Sequence, residues 1–179
     1  MEKVCSRIFK IYSNTIFGDL NGENFSYNLK TKSITGQFEA ENFDISSAFS
    51  SYDASVDGYI NGTIFIGGTL TLPQISAPLR VSKLTAYGLN FGDGTVAISL
   101  SEQPLIGYGK DLVFTASANL WERSSNIIGR FSYAFNKKTI NSEIILDNLI
   151  INSLELGLVN KYVGMLGRAS GIFTAEGPI

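Results

Sequence analysis

The sequence predicts an all-β protein whose strands each carry one apolar and one polar face. Three observations predict it. Apolar and polar residues alternate from end to end, the period of a half-buried strand. Charged residues are only 17% of the 179 residues, against roughly 25% in ordinary globular chains, and Gly, Ser, Thr and Asn fill turns and polar sheet faces instead. Finally, a stretch of strand-like sequence recurs.

The alternation runs as follows. In "GYINGTIFIGGTLTLPQISAPL" (Gly58 to Leu79), Ile60, Ile64, Ile66, Leu70 and Leu72 fall on one side. Tyr59, Asn61, Thr63, Phe65, Thr69 and Thr71 fall on the other. "TVAISL" aligns Val96, Ile98 and Leu100; "DLVFTASANL" aligns Leu112, Phe114, Ala116, Ala118 and Leu120; "RFSYAF" aligns Phe131, Tyr133 and Phe135. Strands patterned this way belong to antiparallel sheets that are wet on one side. Turn signals such as "GDG" and "LNGEN" separate them. Helical signals are few. The Asp of "DISSAFSSY" suits the cap of one short helix, and "SLELGLVNKYVGML" (Ser153 to Leu166) has partly helical spacing.

The recurrence joins "FSYNLKTKSITGQFEAENFDISS" at Phe25 to "FSYAFNKKTINSEIILDNLIINS" at Phe131, 106 residues later. Eight of 23 aligned positions are identical, where chance gives about one or two. Past a small insertion, Gly58, Gly62 and Gly68 recur as Gly167, Gly171 and Gly177, 109 residues on. Repetition of a strand unit suggests a stacked or solenoid-like sheet. The expected organisation is a single segment, residues 1–179, of a longer repeating protein, with one copy at about 6–111 and a partial second copy at about 112–179.

Chemistry-bearing residues are sparse. There is no histidine and one cysteine, Cys5. The commonest general base is therefore missing, and zinc clusters, internal disulfides and CxxC motifs are excluded. Net charge is −2, which implies no nucleic-acid partner. No apolar run reaches the length of a membrane-spanning helix, so any membrane anchor or targeting segment is expected outside this chain. "FIGGTL" lacks the GK[ST] of a phosphate loop. Glu39 and Glu41 share a strand side and read as solvated, "NKK" (Asn136 to Lys138) reads as a hairpin turn, and Trp121 as an edge aromatic. No nucleophilic, metal or acid–base constellation is present; the chain is expected not to be an enzyme and to need no cofactor.

The motifs that remain resemble the recurring unit of the TamB family. Residues 42–79 carry Asn-apolar-Asp-apolar-Ser at Asn42 to Ser46, Gly-x-apolar-x-Gly at Gly58 to Gly62, Gly-Thr-Leu at Gly68 to Leu70, and Pro73. The similarity covers about residues 25–179; the first 20 residues do not match well, and Asp44 is replaced by Ile150 in the second copy. The resemblance implies a curved, incompletely closed antiparallel sheet, the β-taco, with an apolar concave face. It also implies a cell-envelope protein, anchored in the bacterial inner membrane and crossing the periplasm, that works with an outer-membrane barrel of the TamA or BamA type. Moving phospholipid between the membranes and assisting outer-membrane protein assembly are its implied roles. The residues expected to line the lipid groove are Phe25, Tyr27, Leu29, Ile60, Ile64, Ile66, Leu70, Leu72, Val96, Ile98, Leu100, Phe114, Phe131, Tyr133 and Phe135, with Lys30, Thr63, Thr69 and Thr71 turned to solvent. The alternative is a structural or adhesive β-solenoid module with a filled core.

Overall fold

A computed structural model describes residues 6–15, 18–46, 55–86, 89–105, Gly107, 109–151 and 167–179. They form ten strands: β1 (Ser6–Thr15), β2 (Gly18–Asn28), β3 (Ser33–Asp44), β4 (Val56–Gly68), β5 (Pro73–Ala86), β6 (Leu89–Leu105), β7 (Gly109–Glu122), β8 (Ser125–Ala134), β9 (Thr139–Ile151) and β10 (Gly167–Pro178). All ten lie in one antiparallel sheet in chain order. No described residue of β1 pairs with β10, so the sheet is an open meander rather than a barrel.

Directly paired residues share a side of a sheet, so the register assigns two faces. One face carries Phe38 and Ile64, which pair. It also carries Leu79 paired with Val96, Leu100 paired with Phe114, and Gly129 paired with Ile144. The opposite face carries Glu39 and Thr63, Arg80 and Thr95, Ser99 and Thr115, and Arg130 and Glu143. These are called the Ile64 face and the Thr63 face below. Glu39 and Glu41 are both exposed, as expected of a solvated strand side.

Burial follows the alternation. In β5, Ala77, Leu79 and Val81 are buried while Gln74, Ser76, Pro78 and Arg80 are exposed. The densest packing on the Ile64 face joins Leu120, Ile127 and Leu149 with Leu84, Phe91, Val96, Ala118 and Leu146. Each fully buried aliphatic side chain there contributes about 1.5–3 kcal/mol by leaving water.

Bulges interrupt the ladders at recurrent places. Asn42 and Asn148 are both extra residues at positive φ, a conformation Asn tolerates better than most residues. Each has its N–H satisfied from the next strand, Asn42 by Asn61 Oδ1 at 2.9 Å and Asn148 by Ser170 Oγ at 2.9 Å. Lys83 follows the same scheme, donating its N–H to Asp93 Oδ1 at 2.9 Å. A bulge strengthens local twist, and a side-chain acceptor prevents the displaced N–H from being orphaned. Between β4 and β5, pairing lapses from Gly62↔Leu79 to Phe65↔Ser76. Pro78, which has no N–H to give, stands in that gap.

The stretch Ser153 to Leu166, expected to be a short helix or coil, lies outside the described residues. At the other helical signal, Asp44 Oδ1 accepts the Ser46 N–H at 2.9 Å, the bond of a cap; residues 47–54 lie outside the described residues.

Candidate functional site

The register brings eleven of the fifteen predicted groove residues to the Ile64 face. Tyr27 pairs with Ile34, and Phe25 packs against Phe38 with ring centroids 4.7 Å apart and the planes tilted by 60°. Ile60, Ile64 and Ile66 line up along β4 opposite Phe43, Phe38 and Gly36. Val96, Ile98 and Leu100 lie opposite Ala118, Ala116 and Phe114, and Phe131 and Tyr133 lie opposite Ala116 and Phe114. Phe114 and Phe131 meet edge to face with centroids 6.2 Å apart.

Leu29, Leu70, Leu72 and Phe135 correct the expectation. All four stand in hairpin turns rather than strands, and all four are exposed. The strands end sooner than the alternation implies, by one residue at Leu29 and Phe135 and by more after Gly68, because turn residues take over the hydrogen bonds. Asn28 Oδ1 accepts the N–H groups of Lys30 and Thr31. Thr69 and Leu72 bond each other's backbone at 3.1 and 3.2 Å. Phe135 donates its N–H to Leu112 O at 3.0 Å, and its ring leans on Tyr133 at 4.9 Å. Lys30, Thr69 and Thr71 sit in the same turns, whereas Thr63 lies on the face opposite Ile64. Trp121 is half exposed at the end of β7.

The Ile64 face also holds residues absent from the expected set: Ile34, Phe38, Phe43, Ile75, Leu79, Val81, Ile144 and Phe173. In β3 the signal was interrupted by Gly36 and by the Asn42 bulge, which shifts the parity of Phe43. In β5 it was diluted by Ala77 and Pro78. Exposure on this face rises toward β10: Phe131 is 38%, Ile144 42% and Phe173 61% exposed.

Among the described residues two grooves open on the Thr63 face. The larger, about 480 Å³, runs across β5 to β8 between the rows Pro78–Ala97–Ser117–Arg130 and Arg80–Thr95–Asn119–Ile128. The smaller, about 270 Å³, lies beside it at Thr115, Ser132 and Asn141. Arg130 is held by Glu143 at 3.3 Å, so this groove does not present two free cations.

Ionisable groups serve the rim. Lys110 Nζ meets Glu102 Oε2 at 2.9 Å, and the hydrogen bond and charge of that carboxylate raise the lysine above its usual pKa. Burial pushes the Asp111 carboxyl up, but the N–H groups of Asn136, Lys137 and Leu112 outweigh it and hold the group below the ordinary aspartate value. Asp111 therefore clamps the 135–138 turn from the neighbouring strand. Among the described residues no group of three His, Cys, Asp or Glu side chains converges on a point that suits a metal ion. No family model matches the chain, and neither a curated protein nor a solved structure does.

Proposed function

We propose that this chain is a segment of an envelope-spanning lipid-transfer protein of the TamB kind, in which the Ile64 face conducts phospholipid acyl chains. The observation that carries the reading is a ten-stranded open meander with aliphatic and aromatic side chains on one face from β2 to β10. Phe131, Ile144 and Phe173 on that face remain substantially exposed. In this reading the sheet curls toward its apolar side, where Leu79, Val81, Leu120 and Ile127 are buried. A trough of that kind shields about 0.8 kcal/mol per CH₂ of acyl chain that would otherwise meet water, while Ser, Thr, Asn and Glu keep the outer face soluble. In this reading the stretch from Phe25 and its recurrence from Phe131 are two copies of one unit. The turns 29–32 and 135–138, each with a lysine at positive φ, and the bulges at Asn42 and Asn148 support that. The periplasm, an inner-membrane anchor beyond this segment and an outer-membrane barrel partner belong to the same proposal and rest on the residue resemblance at 42–79.

A second reading, a packed structural module, is favoured by the burial of Leu79, Val81, Leu120 and Ile127 below a tenth of their full exposure. Photo-crosslinking separates the two. A crosslinker at Ile64 or Ile144 in the full-length protein is expected to capture phospholipid, and one at Thr63 or Glu143 is not. Equal capture on both faces, or none on either in a functional protein, removes the conduit and leaves the structural module.

A further inference from the structure

We infer that the outer edge of β10 is a docking edge for one more antiparallel strand, of the kind that β5 supplies to β4. On β4, Gly58, Gly62 and Gly68 all have positive φ, and each lies at close range to the backbone of β5 or of the turn that leads into it. A Cβ on Gly62 would stand 2.7 Å from Pro78 O, one on Gly68 2.3 Å from Leu72 O, and one on Gly58 3.1 Å from Ser82 O. Those three glycines are there because another backbone passes where a side chain would be.

β10 carries glycines at the same three places, Gly167, Gly171 and Gly177, of which Gly177 also has a positive φ. Its inner side is also built like that of β4. Asn61 accepts the N–H of the Asn42 bulge, and Ser170, 109 residues later, accepts that of the Asn148 bulge. On the outer side the resemblance stops. No described strand pairs with β10 there, and a Cβ on Gly167 or Gly177 would meet nothing within 4 Å.

The middle of the edge is also undefended. Exposed edges are usually blunted by charged side chains, lysine above all, or by an interior proline. β10 has no lysine; its two charges, Arg168 and Glu176, stand near its ends, Arg168 bonded back to Asn148 Oδ1 at 2.8 Å, and its one proline, Pro178, is its last residue. Its centre is Ile172 and Phe173, pointing to opposite faces and each more than three-fifths exposed. Ile179 donates its N–H inward to Lys138 O at 2.9 Å. The alternation of an antiparallel ladder then turns the N–H groups of Ile172, Thr174 and Glu176 outward.

The β4–β5 register supplies the occupant. Pro73 lies opposite Gly68, Ile75 opposite Ile66 and Leu79 opposite Gly62. Carried to β10, this places a proline opposite Gly177, an aliphatic residue opposite Ala175 and another opposite Gly171. The partner is thus an extended polypeptide of the β5 pattern, bound through its main chain as in strand addition.

The test uses a labelled peptide of the β5 sequence, PQISAPLRVSKLTA, with the whole chain. Saturable binding is expected, with amide exchange at Ile172, Thr174 and Glu176 slowed about tenfold, and no binding by a scrambled peptide. Thr174→Pro removes one outward donor from a position whose β9 ladder bond does not need it. It is expected to leave the circular dichroism unchanged and to weaken binding about tenfold. Should that variant misfold, peptides N-methylated at Ile75, Ala77 and Leu79, or at Ser76, Arg80 and Ser82, give the same information from the ligand side. One set loses binding and the other keeps it. Equal binding of both sets, binding without protection of the three amides, or no binding at all overturns the proposal. So does a dimer in sedimentation whose β10 amides are protected without peptide, which assigns the edge to a second copy.

Discussion

The β2–β3–β4 trio and the β8–β9–β10 trio share turn length, bulge position and glycine spacing, yet they are held together differently. In the first, the 29–32 turn is capped from within by Asn28; in the second, the 135–138 turn is clamped by Asp111, which comes from β7. In the first, Phe25 lies across Gly22 and Gly36 and packs at a tilt against Phe38, while the residues that take the places of Gly36 and Phe38 beside Phe131 are Ser142 and Ile144. In the first, β5 covers the glycines; in the second they stand in the open. A local motif fixes the shape of a hairpin, while its neighbours decide what each residue costs to change.

The widest gap between the trios is expected at their glycines. Gly62→Ala forces a Cβ into Pro78 O at a φ of +144° and is expected to destabilise by about 2–3 kcal/mol. Gly171→Ala meets only an edge of the Phe173 ring at 3.7 Å and is expected to change stability by less than about 0.5 kcal/mol. Urea unfolding midpoints of the two variants measure the difference; equal losses would mean that the glycines serve the motif itself rather than the strand beside it.

A smaller gap is expected at the aromatic pair. Phe38→Ala removes a half-buried ring and its contact with Phe25, costing about 2 kcal/mol. Ile144→Ala, at the corresponding but more exposed position, is expected to cost about 1 kcal/mol. The same unfolding assay ranks them, and a larger loss at Ile144 would show that something covers that end of the sheet.

The smallest difference lies in the turns, and it depends on pH. Because the Asp111 pKa is depressed in the folded chain, its contribution is present above the unfolded aspartate value of about 3.9 and is lost as pH falls through the lower folded value. Asp111→Asn is expected to flatten the acid limb of the stability–pH curve. Asn28→Ala is expected to lower stability by about 1 kcal/mol at every pH, since Asn28 does not titrate. An acid limb unchanged by Asp111→Asn would place the clamp elsewhere.

The all-β class and the sides of most strands were legible in the residues. Strand alternation has a period of two, so once Ile64 faces one way Ile60 and Ile66 must follow. The recurrence of Phe25, Tyr27 and Asn42 at Phe131, Tyr133 and Asn148 was legible as well. Strand ends were not. Leu29, Leu70, Leu72 and Phe135 continue the alternation on paper, but a turn is decided by which acceptor reaches the next N–H. For Phe135 and its turn, those acceptors are Leu112 O and the Asp111 carboxylate, more than twenty residues away.

The residues alone fix the strand pattern, the recurring spacing of Gly58, Gly62 and Gly68 at Gly167, Gly171 and Gly177, and the lack of any histidine. Pairing partners were decided by the tertiary structure alone. Asp111 is an ordinary carboxylate until β7 lies beside the 135–138 turn, Pro78 is a strand breaker until the β4–β5 ladder lapses to admit it, and Gly62 is one glycine among eighteen until Pro78 O passes 2.7 Å from where its Cβ would be. The physical reason is range. Alternation and φ preference act over a few bonds and are written in neighbouring residues, whereas hydrogen-bond satisfaction and steric close approach act between strands and exist only once the register is set.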